Sequence, residues 1–272
     1  MKPVVMRSSA GSVGAVGAAG AVGAGVAALP LRPAMVRPGP SVGQVPSPSA
    51  FAGPQLWAVD VMDYVAYAWR AAPGVLDAQE KARLARFRQP ADRDRYVCAH
   101  VALRLLLGAY LRVPPADVEL VRKPCPGCGG PHGRPAVPDD PVHFSLSHSG
   151  QFALLGFART PVGVDVERMV SARTAVDSVL GSLHPEEISE LHALAEDVRA
   201  AAFTRLWARK EAYLKALGTG LSRGLATDHI GSAARHPAGW WLADVAVPDA
   251  DYAAAVALRT GTEAAHAASR SR

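Results

Sequence analysis

From 162 to 167 the chain alternates apolar and acidic positions: Val162, Val164 and Val166 interleave with Asp165 and Glu167, the period of a strand whose two faces differ. Both carboxylates therefore share one face. A second strand is predicted at His143, with Phe144 and Leu146 on one side, running through Ser147 and His148 into a turn at Ser149-Gly150. Between 203 and 217 the period changes, and Phe203, Leu206, Trp207, Leu214 and Leu217 recur at helical spacing. On that helix Glu211 lies four residues after Trp207 and four before Lys215, so a carboxylate and an ammonium share one stripe.

The same reading predicts a first strand at 56–61 and one or two helices over 77–110. Strands follow at 118–121, 143–147, 152–158 and 162–167, then helices at 173–180, 185–195 and 198–217, and final strands at 240–247 and 252–258. The class is α+β.

The first 54 residues do not fit this pattern. From 10 to 28 they are almost only Ala, Gly and Val, and from 30 to 54 they are rich in Pro, Gly and Ser, with one aromatic at Phe51. Such a segment lacks the large side chains that offset ordering entropy and reads as a disordered leader over 1–54. Lys2 and Arg7 before the small-residue run imitate the start of a signal peptide, but the run is too weakly apolar and too Gly-interrupted to span a membrane. An upstream start codon is the other explanation. Residues 261–272, rich in Ala and Ser, read as a frayed tail.

The remaining length suffices for one large or two small units, and 49% hydrophobic residues allow a packed core. A net charge of +5 and a pI near 9.3 suit an acidic partner, either protein or nucleic acid. No Gly-x-x-x-x-Gly-Lys-[Ser/Thr] loop is present, which removes the commonest nucleotide-binding option. No stripe of aromatics interleaves with Lys and Arg, as single-stranded nucleic-acid binders require, and aromatic residues total 6%.

Asp165, Glu167 and Glu211 are hard oxygen donors of the kind Mg²⁺ takes, leaving positions for water and phosphate oxygens. Each block has a plainer reading. Charges guard sheet edges, and a Glu–Lys pair at i, i+4 on a surface contributes only about 0.3 to 0.5 kcal/mol. The basic residues Lys81, Arg83, Arg86, Arg88, Arg93, Arg95 and Arg104 read equally as a solvated helix face. Cys98 falls in a helical pattern as a small core residue. Cys125-Pro126-Gly127-Cys128 with His132 is half a zinc site, with His143 or a carboxylate as a fourth ligand, a redox pair, or a Pro/Gly-rich loop carrying two reduced thiols.

Taken in order, Phe-Ser-Leu-Ser-His-Ser at 144–149, Gly-Val-Asp-Val-Glu at 163–167 and Trp-x-x-Lys-Glu-Ala-x-x-Lys-Ala-x-Gly-x-Gly-Leu from Trp207 resemble the 4′-phosphopantetheinyl transferases of the larger, surfactin-synthetase-activating type. The resemblance runs over roughly 56–257. Gly133-Arg134-Pro135 stands where that family commonly has Gly-Lys-Pro, and His184-Pro185-Glu186-Glu187 resembles its short acidic helix start.

The resemblance implies a fold of two similar α/β halves, a pseudo-dimer in one chain with the active site between them. The N-terminal half would be 55–160 and the C-terminal half, carrying the metal motifs, 161–260. The implied reaction moves the phosphopantetheine arm of coenzyme A to a serine of an acyl or peptidyl carrier protein, releasing adenosine 3′,5′-bisphosphate. It implies Mg²⁺ at Asp165, Glu167 and Glu211, Lys215 on the pyrophosphate with Lys210 assisting, and Arg95, Arg134, Ser147, His148, Lys81, Arg83 and Lys215 around coenzyme A. Glu211 is favoured over Glu167 as the base that takes the serine proton. The expected protein is a cytoplasmic monomer that binds neither nucleic acid nor membrane. The rival reading is a basic, non-catalytic protein- or nucleic-acid-binding domain.

Overall fold

A computed structural model of the chain describes residues 30–169, 179–231 and 236–260. The expected helix at 173–180 and the tail at 261–272 fall largely or wholly outside them. Two antiparallel-dominated sheets with helices packed on them make an α+β fold. The first has the order β1-β2-β6-β5, from Ala34–Met35 (β1), Gln55–Asp60 (β2), His143–Ser149 (β5) and Phe152–Ala158 (β6). The second has the order β7-β9-β8, from Val162–Arg168 (β7), Trp240–Asp244 (β8) and Tyr252–Arg259 (β9). A short hairpin joins Val121–Arg122 (β3) to Pro135–Ala136 (β4).

Strand β6 is buried along its whole length. Ala153, Leu155 and Phe157 face a core shared with helices α1 (Val61–Val75), α2 (Ala78–Arg86) and α3 (Pro90–Leu111), while Phe152, Leu154 and Ala158 face the second sheet. This two-sided burial follows from the period of 2 in a strand that carries apolar residues at nearly every position. The even residues of β7, Val162, Val164 and Val166, complete the inter-sheet layer with Leu56, Val245 and Val256. Gly156 makes the fit possible, since a Cβ there would stand 2.6 Å from Val164 Cγ1.

Helix α1 is an element the sequence reading leaves out. Asp60, at the end of β2, caps it by accepting from Met62 N at 2.9 Å, and Val61, Tyr64, Ala68 and Ala72 supply a buried stripe at helical spacing. Helix α2 begins with a capping box in which Asp77 and Glu80 satisfy each other's backbone N–H groups. Arg104, fully buried in α3, pairs with both Asp77 and Glu80 and donates to the carbonyls of Pro115 and Val118 at 3.1 Å. That arrangement satisfies a buried guanidinium and fixes α2 against α3. Arg104 is thus not part of a solvated face.

In the second unit, α4 (Pro185–His192) leads to α5 (Glu196–Leu217), and α5 lies across β7 and β9. Residues 30–54 are not wholly a leader. Leu31 bridges to Val245 beside β8, while Ala34 and Met35 pair with Trp57 and Ala58 of β2, so this short stretch ties the two sheets together. Val36 and Phe51 are buried, and Phe51 meets Tyr110 edge-on at 5.3 Å. Composition hides this because the anchors are pairings with distant strands rather than a run of large side chains. The expected strand at 118–121 shrinks to β3, with a 3-10 turn at Pro115–Asp117 before it. Among the described residues no helix is long and apolar enough to cross a membrane.

Candidate functional site

Gly163 decides where the site forms. It shares a face of β7 with Asp165 and Glu167, and a Cβ added to it would lie 1.9 Å from the carbonyl oxygen of Ala212 and 2.5 Å from the nitrogen of Ala216. Without a side chain at 163, α5 rests directly on the strand. That close approach carries Glu211 and Lys215, which flank Ala212 on the same helix, onto the face that holds both β7 carboxylates.

Strand β5 lies against β7 on the other side. Ser145, Ser147 and Ser149 occupy alternate positions of β5 and project one way, and their hydroxyls bridge to β7 where backbone ladder bonds are not made. Val164 N donates to Ser145 Oγ at 3.1 Å and Arg168 N to Ser149 Oγ at 3.2 Å. Ser147 Oγ donates to Asp165 Oδ1 at 2.7 Å, and Ser149 Oγ to Glu167 Oε2 at 3.0 Å. The partners advance together along both strands, so β5 and β7 run in the same direction.

Lys215 Nζ stands 2.5 Å from Asp165 Oδ1 and donates to Ser147 Oγ at 2.9 Å. Asp165 is 1% exposed, and its second oxygen, Oδ2, is buried without a hydrogen-bond partner. Burial raises the pKa of Asp165 against the opposing pull of Lys215 and Ser147. Glu167 is raised by burial and then by Asp165, and Glu211 by burial and by Asp165, with Lys215 opposing. Three carboxylates thus share one partly dry region with a single ammonium among them, a deficit of positive charge. The residues fit a hard divalent cation on chemistry: oxygen donors, excess negative charge and an orphaned buried oxygen. Among the described residues, however, the trio of metal-capable groups that converges within 4.8 Å is Cys125, Cys128 and His132 rather than these three. Lys215 takes one oxygen of Asp165, and Glu167 is turned to Ser149.

Beside this cluster opens a cavity of about 1290 Å³. Arg83, His100, Arg122, His132, Arg134 and Lys215 bring basic groups to its wall. Of its acidic wall residues, Asp77 and Glu80 are already paired with Arg104. Thr219, also on the wall, has a buried hydroxyl oxygen with no partner. Arg134 donates to the carbonyl of Ala216 at 3.2 Å, satisfying a last-turn carbonyl of α5, and burial lowers its pKa.

Of the residues expected around coenzyme A, the structure brings Arg83, Arg134 and Lys215 to the cavity. Ser147 instead holds Asp165 and Lys215. His148 is exposed and not among the cavity-wall residues, and desolvation, then the charge of His100, lowers its pKa. Arg95 itself pairs with Asp92, and Lys81 donates to the carbonyl of Pro73 at 2.7 Å, away from the cavity wall. Lys210 departs most from expectation. It is 2% exposed, lies 2.8 Å from the fully buried Glu187 and donates to the carbonyls of Leu225 and Asp228 at 2.8 Å. One residue earlier than Glu211, its side chain leaves the helix about 100° away from the carboxylate stripe and serves the packing of α4. His100 and Arg122 were missed because a single His and a single Arg carry no pattern in sequence; only the fold gathers them.

Comparison with known proteins identifies the family of the chain. The family model for the 4′-phosphopantetheinyl transferase superfamily matches residues 161–257, the unit that holds Asp165, Glu167, Glu211 and Lys215. The 4′-phosphopantetheinyl transferase HetI of a Nostoc species is 31% identical over 194 residues, covering 67% of this chain and 78% of HetI. The 4′-phosphopantetheinyl transferase Sfp of Bacillus subtilis is 28% identical over 147 residues, covering 54% of this chain and 61% of Sfp. Another Bacillus subtilis relative, 4′-phosphopantetheinyl transferase ffp, is 28% identical over 148 residues and 62% of its length. The chain thus spans about 60% of the length of several curated relatives it matches. The chain belongs to the 4′-phosphopantetheinyl transferase family, in its larger, Sfp-type branch.

Proposed function

We propose that this protein transfers the 4′-phosphopantetheine arm of coenzyme A to a serine of an apo acyl or peptidyl carrier protein, in a Mg²⁺-dependent reaction. The observation that carries the reading is the meeting of Asp165, Glu167, Glu211 and Lys215 beside a large cavity rimmed with basic groups. Family membership supports it, as do the relatives named 4′-phosphopantetheinyl transferase.

In this reading the serine oxygen attacks the phosphorus that bears the pantetheine arm. The bond from that phosphorus to the leaving phosphate oxygen breaks, and adenosine 3′,5′-bisphosphate departs. The serine proton passes to Glu211, directly or through one water, and the raised pKa of Glu211 suits a proton acceptor. Asp165, Glu167 and Glu211 would hold the Mg²⁺, which when bound supplies neutralisation of pyrophosphate charge. Lys215 faces the pyrophosphate, where an ammonium offsets charge that builds on non-bridging oxygens. Arg134 and Arg83, with His148 nearby, receive the 3′-phosphate, for which guanidinium geometry is suited. Ser147 orients Asp165 and Lys215 together. The two sheet-and-helix units are read as the two halves of a pseudo-dimer within a monomer, with the site at their junction. The net charge of +5 favours encounter with an acidic carrier protein in the cytoplasm.

The test is incorporation of labelled phosphopantetheine from coenzyme A into apo carrier proteins of fatty acid, polyketide and peptide synthesis, with and without EDTA. Label that EDTA abolishes is expected. Absence of label on every carrier, together with retained binding of an acidic protein, would favour the basic binding domain instead.

A further inference from the structure

The hairpin loop between β3 and β4 carries a second ligand set, of different chemistry and outside the carboxylate cluster. Sγ of Cys125, Sγ of Cys128 and a ring nitrogen of His132 all lie within 4.8 Å of one another, and Cys128 Sγ is 3.0 Å from His132 Nε2. Ligands of a tetrahedral zinc ion, at about 2.3 Å for sulfur and 2.0 to 2.1 Å for nitrogen, stand roughly 3.5 to 3.8 Å apart. The three atoms therefore need only small shifts to enclose such an ion.

The backbone of the loop is tightly turned. Gly129 N donates to Cys125 O at 2.8 Å and Cys125 N to Gly130 O at 2.8 Å, closing a tight turn that passes through Gly129 at φ +71°. The base of the loop is pinned as well. Lys123 N donates to Arg134 O at 3.1 Å, Arg122 donates to Gly133 O at 3.1 Å, and a Cβ on Gly133 would fall 2.3 Å from Lys123 O.

We propose that Cys125, Cys128 and His132 bind a Zn²⁺ ion, with water in the fourth position, and that this ion fixes the loop that presents His132 and Arg134 to the cavity. Soft thiolates with one imidazole select zinc over magnesium, whereas the carboxylate cluster has the reverse preference. Two metals of different hardness would then be held in one protein, and chelation of zinc would be separable from removal of magnesium. His132 and Arg134 lie two residues apart, so ordering the first constrains the second.

The test uses the full chain, purified without chelator from zinc-supplemented culture and freed of any polyhistidine tag. Metal content by plasma mass spectrometry is expected at about one zinc per chain. Cys125→Ser with Cys128→Ser should remove it, and His132→Ala should weaken zinc retention against a competing chelator by on the order of tenfold or more. Replacement by Co²⁺ should give thiolate charge-transfer and tetrahedral d–d absorption in the wild type and neither in the double variant. Both variants are checked for folding by circular dichroism, and His132→Ala, altering an exposed residue, keeps the test valid if the double variant misfolds. Zinc well below one per chain, equal zinc retention against the competing chelator in the His132→Ala protein, or a Co²⁺ spectrum without a thiolate band would overturn the proposal. A Cys125–Cys128 disulfide in the freshly purified protein would do the same. None of these readouts depends on transferase activity, so this site and the proposed function fail independently.

Discussion

Lys215 Nζ contacts Asp165 Oδ1 at 2.5 Å, while Asp165 Oδ2, two bonds away, is buried with no partner. One carboxylate is thus half satisfied by an ammonium and half unsatisfied, in a region where two further carboxylates are disfavoured as anions by burial. Asp165→Asn keeps the shape and removes a charge. It is expected to leave the circular dichroism spectrum unchanged and to lower kcat by about 100-fold or more, the scale seen when one preorganised electrostatic group is lost. Steady-state kinetics at saturating Mg²⁺ check this, and a rate within a few-fold of wild type would remove Asp165 from the site.

Gly163→Ala puts a methyl group into the backbone of α5 at Ala212 and Ala216. The helix must move away from β7, carrying Glu211 and Lys215 with it. Overpacking of this kind costs about 1 to 3 kcal/mol. Urea denaturation is expected to show that loss, and turnover should fall further than stability alone explains, because the carboxylates separate from the lysine. Equal stability and equal turnover would show that α5 does not need this contact.

Lys210 and Glu187 form a buried ion pair at 2.8 Å, with Glu187 also accepting from Ile230 N at 2.7 Å and His184 N at 3.1 Å. Lys210→Met leaves Glu187 buried and uncompensated, a loss of about 3 to 5 kcal/mol. The structural role predicts a lower Tm with a KM for coenzyme A unchanged at temperatures where the variant is folded. A raised KM with an unchanged Tm would return Lys210 to the catalytic group.

Glu80 titrates below its ordinary 4.5, because hydrogen bonding and charge from His100, the Asp77 N–H and Arg104 together outweigh burial, the largest single effect, which acts in the opposite direction. The folded state holds this proton less tightly than the unfolded chain. The stabilisation is therefore complete above about pH 4.5 and is lost as pH falls through the lowered folded value. Glu80→Gln should destabilise by about 3 kcal/mol at pH 7, and the gap between the two proteins should narrow in urea melts taken towards pH 3. A gap independent of pH would mean that the carboxylate charge contributes nothing.

How much of this was legible in the sequence varies with how local the signal is. The alternation at 162–167 and the helical stripe through Glu211 and Lys215 are short-range patterns, and both strand β7 and helix α5 formed where those patterns lie. The face shared by Asp165 and Glu167 follows from period 2 alone. Helix α1 is hard to read from sequence because Val61, Tyr64, Val65, Tyr67 and Trp69 are β-branched or aromatic, types with low helix propensity. The pairing of Lys210 is not legible in sequence because its partner Glu187 is 23 positions away, where no local pattern speaks. His100 and Arg122 reach the cavity only through the packing of α3 and the β3–β4 hairpin. The anchoring of 31–36 rests on pairings with Val245 and Trp57, invisible to a reading of composition.

The most direct measurement is the intact mass of a purified apo carrier protein after incubation with coenzyme A, Mg²⁺ and either wild-type protein or Glu211→Gln. The account predicts a gain of one phosphopantetheine with wild type, abolished by EDTA and slowed at least about 100-fold by Glu211→Gln. An unchanged carrier mass with wild type, or equal modification by the variant, would contradict it.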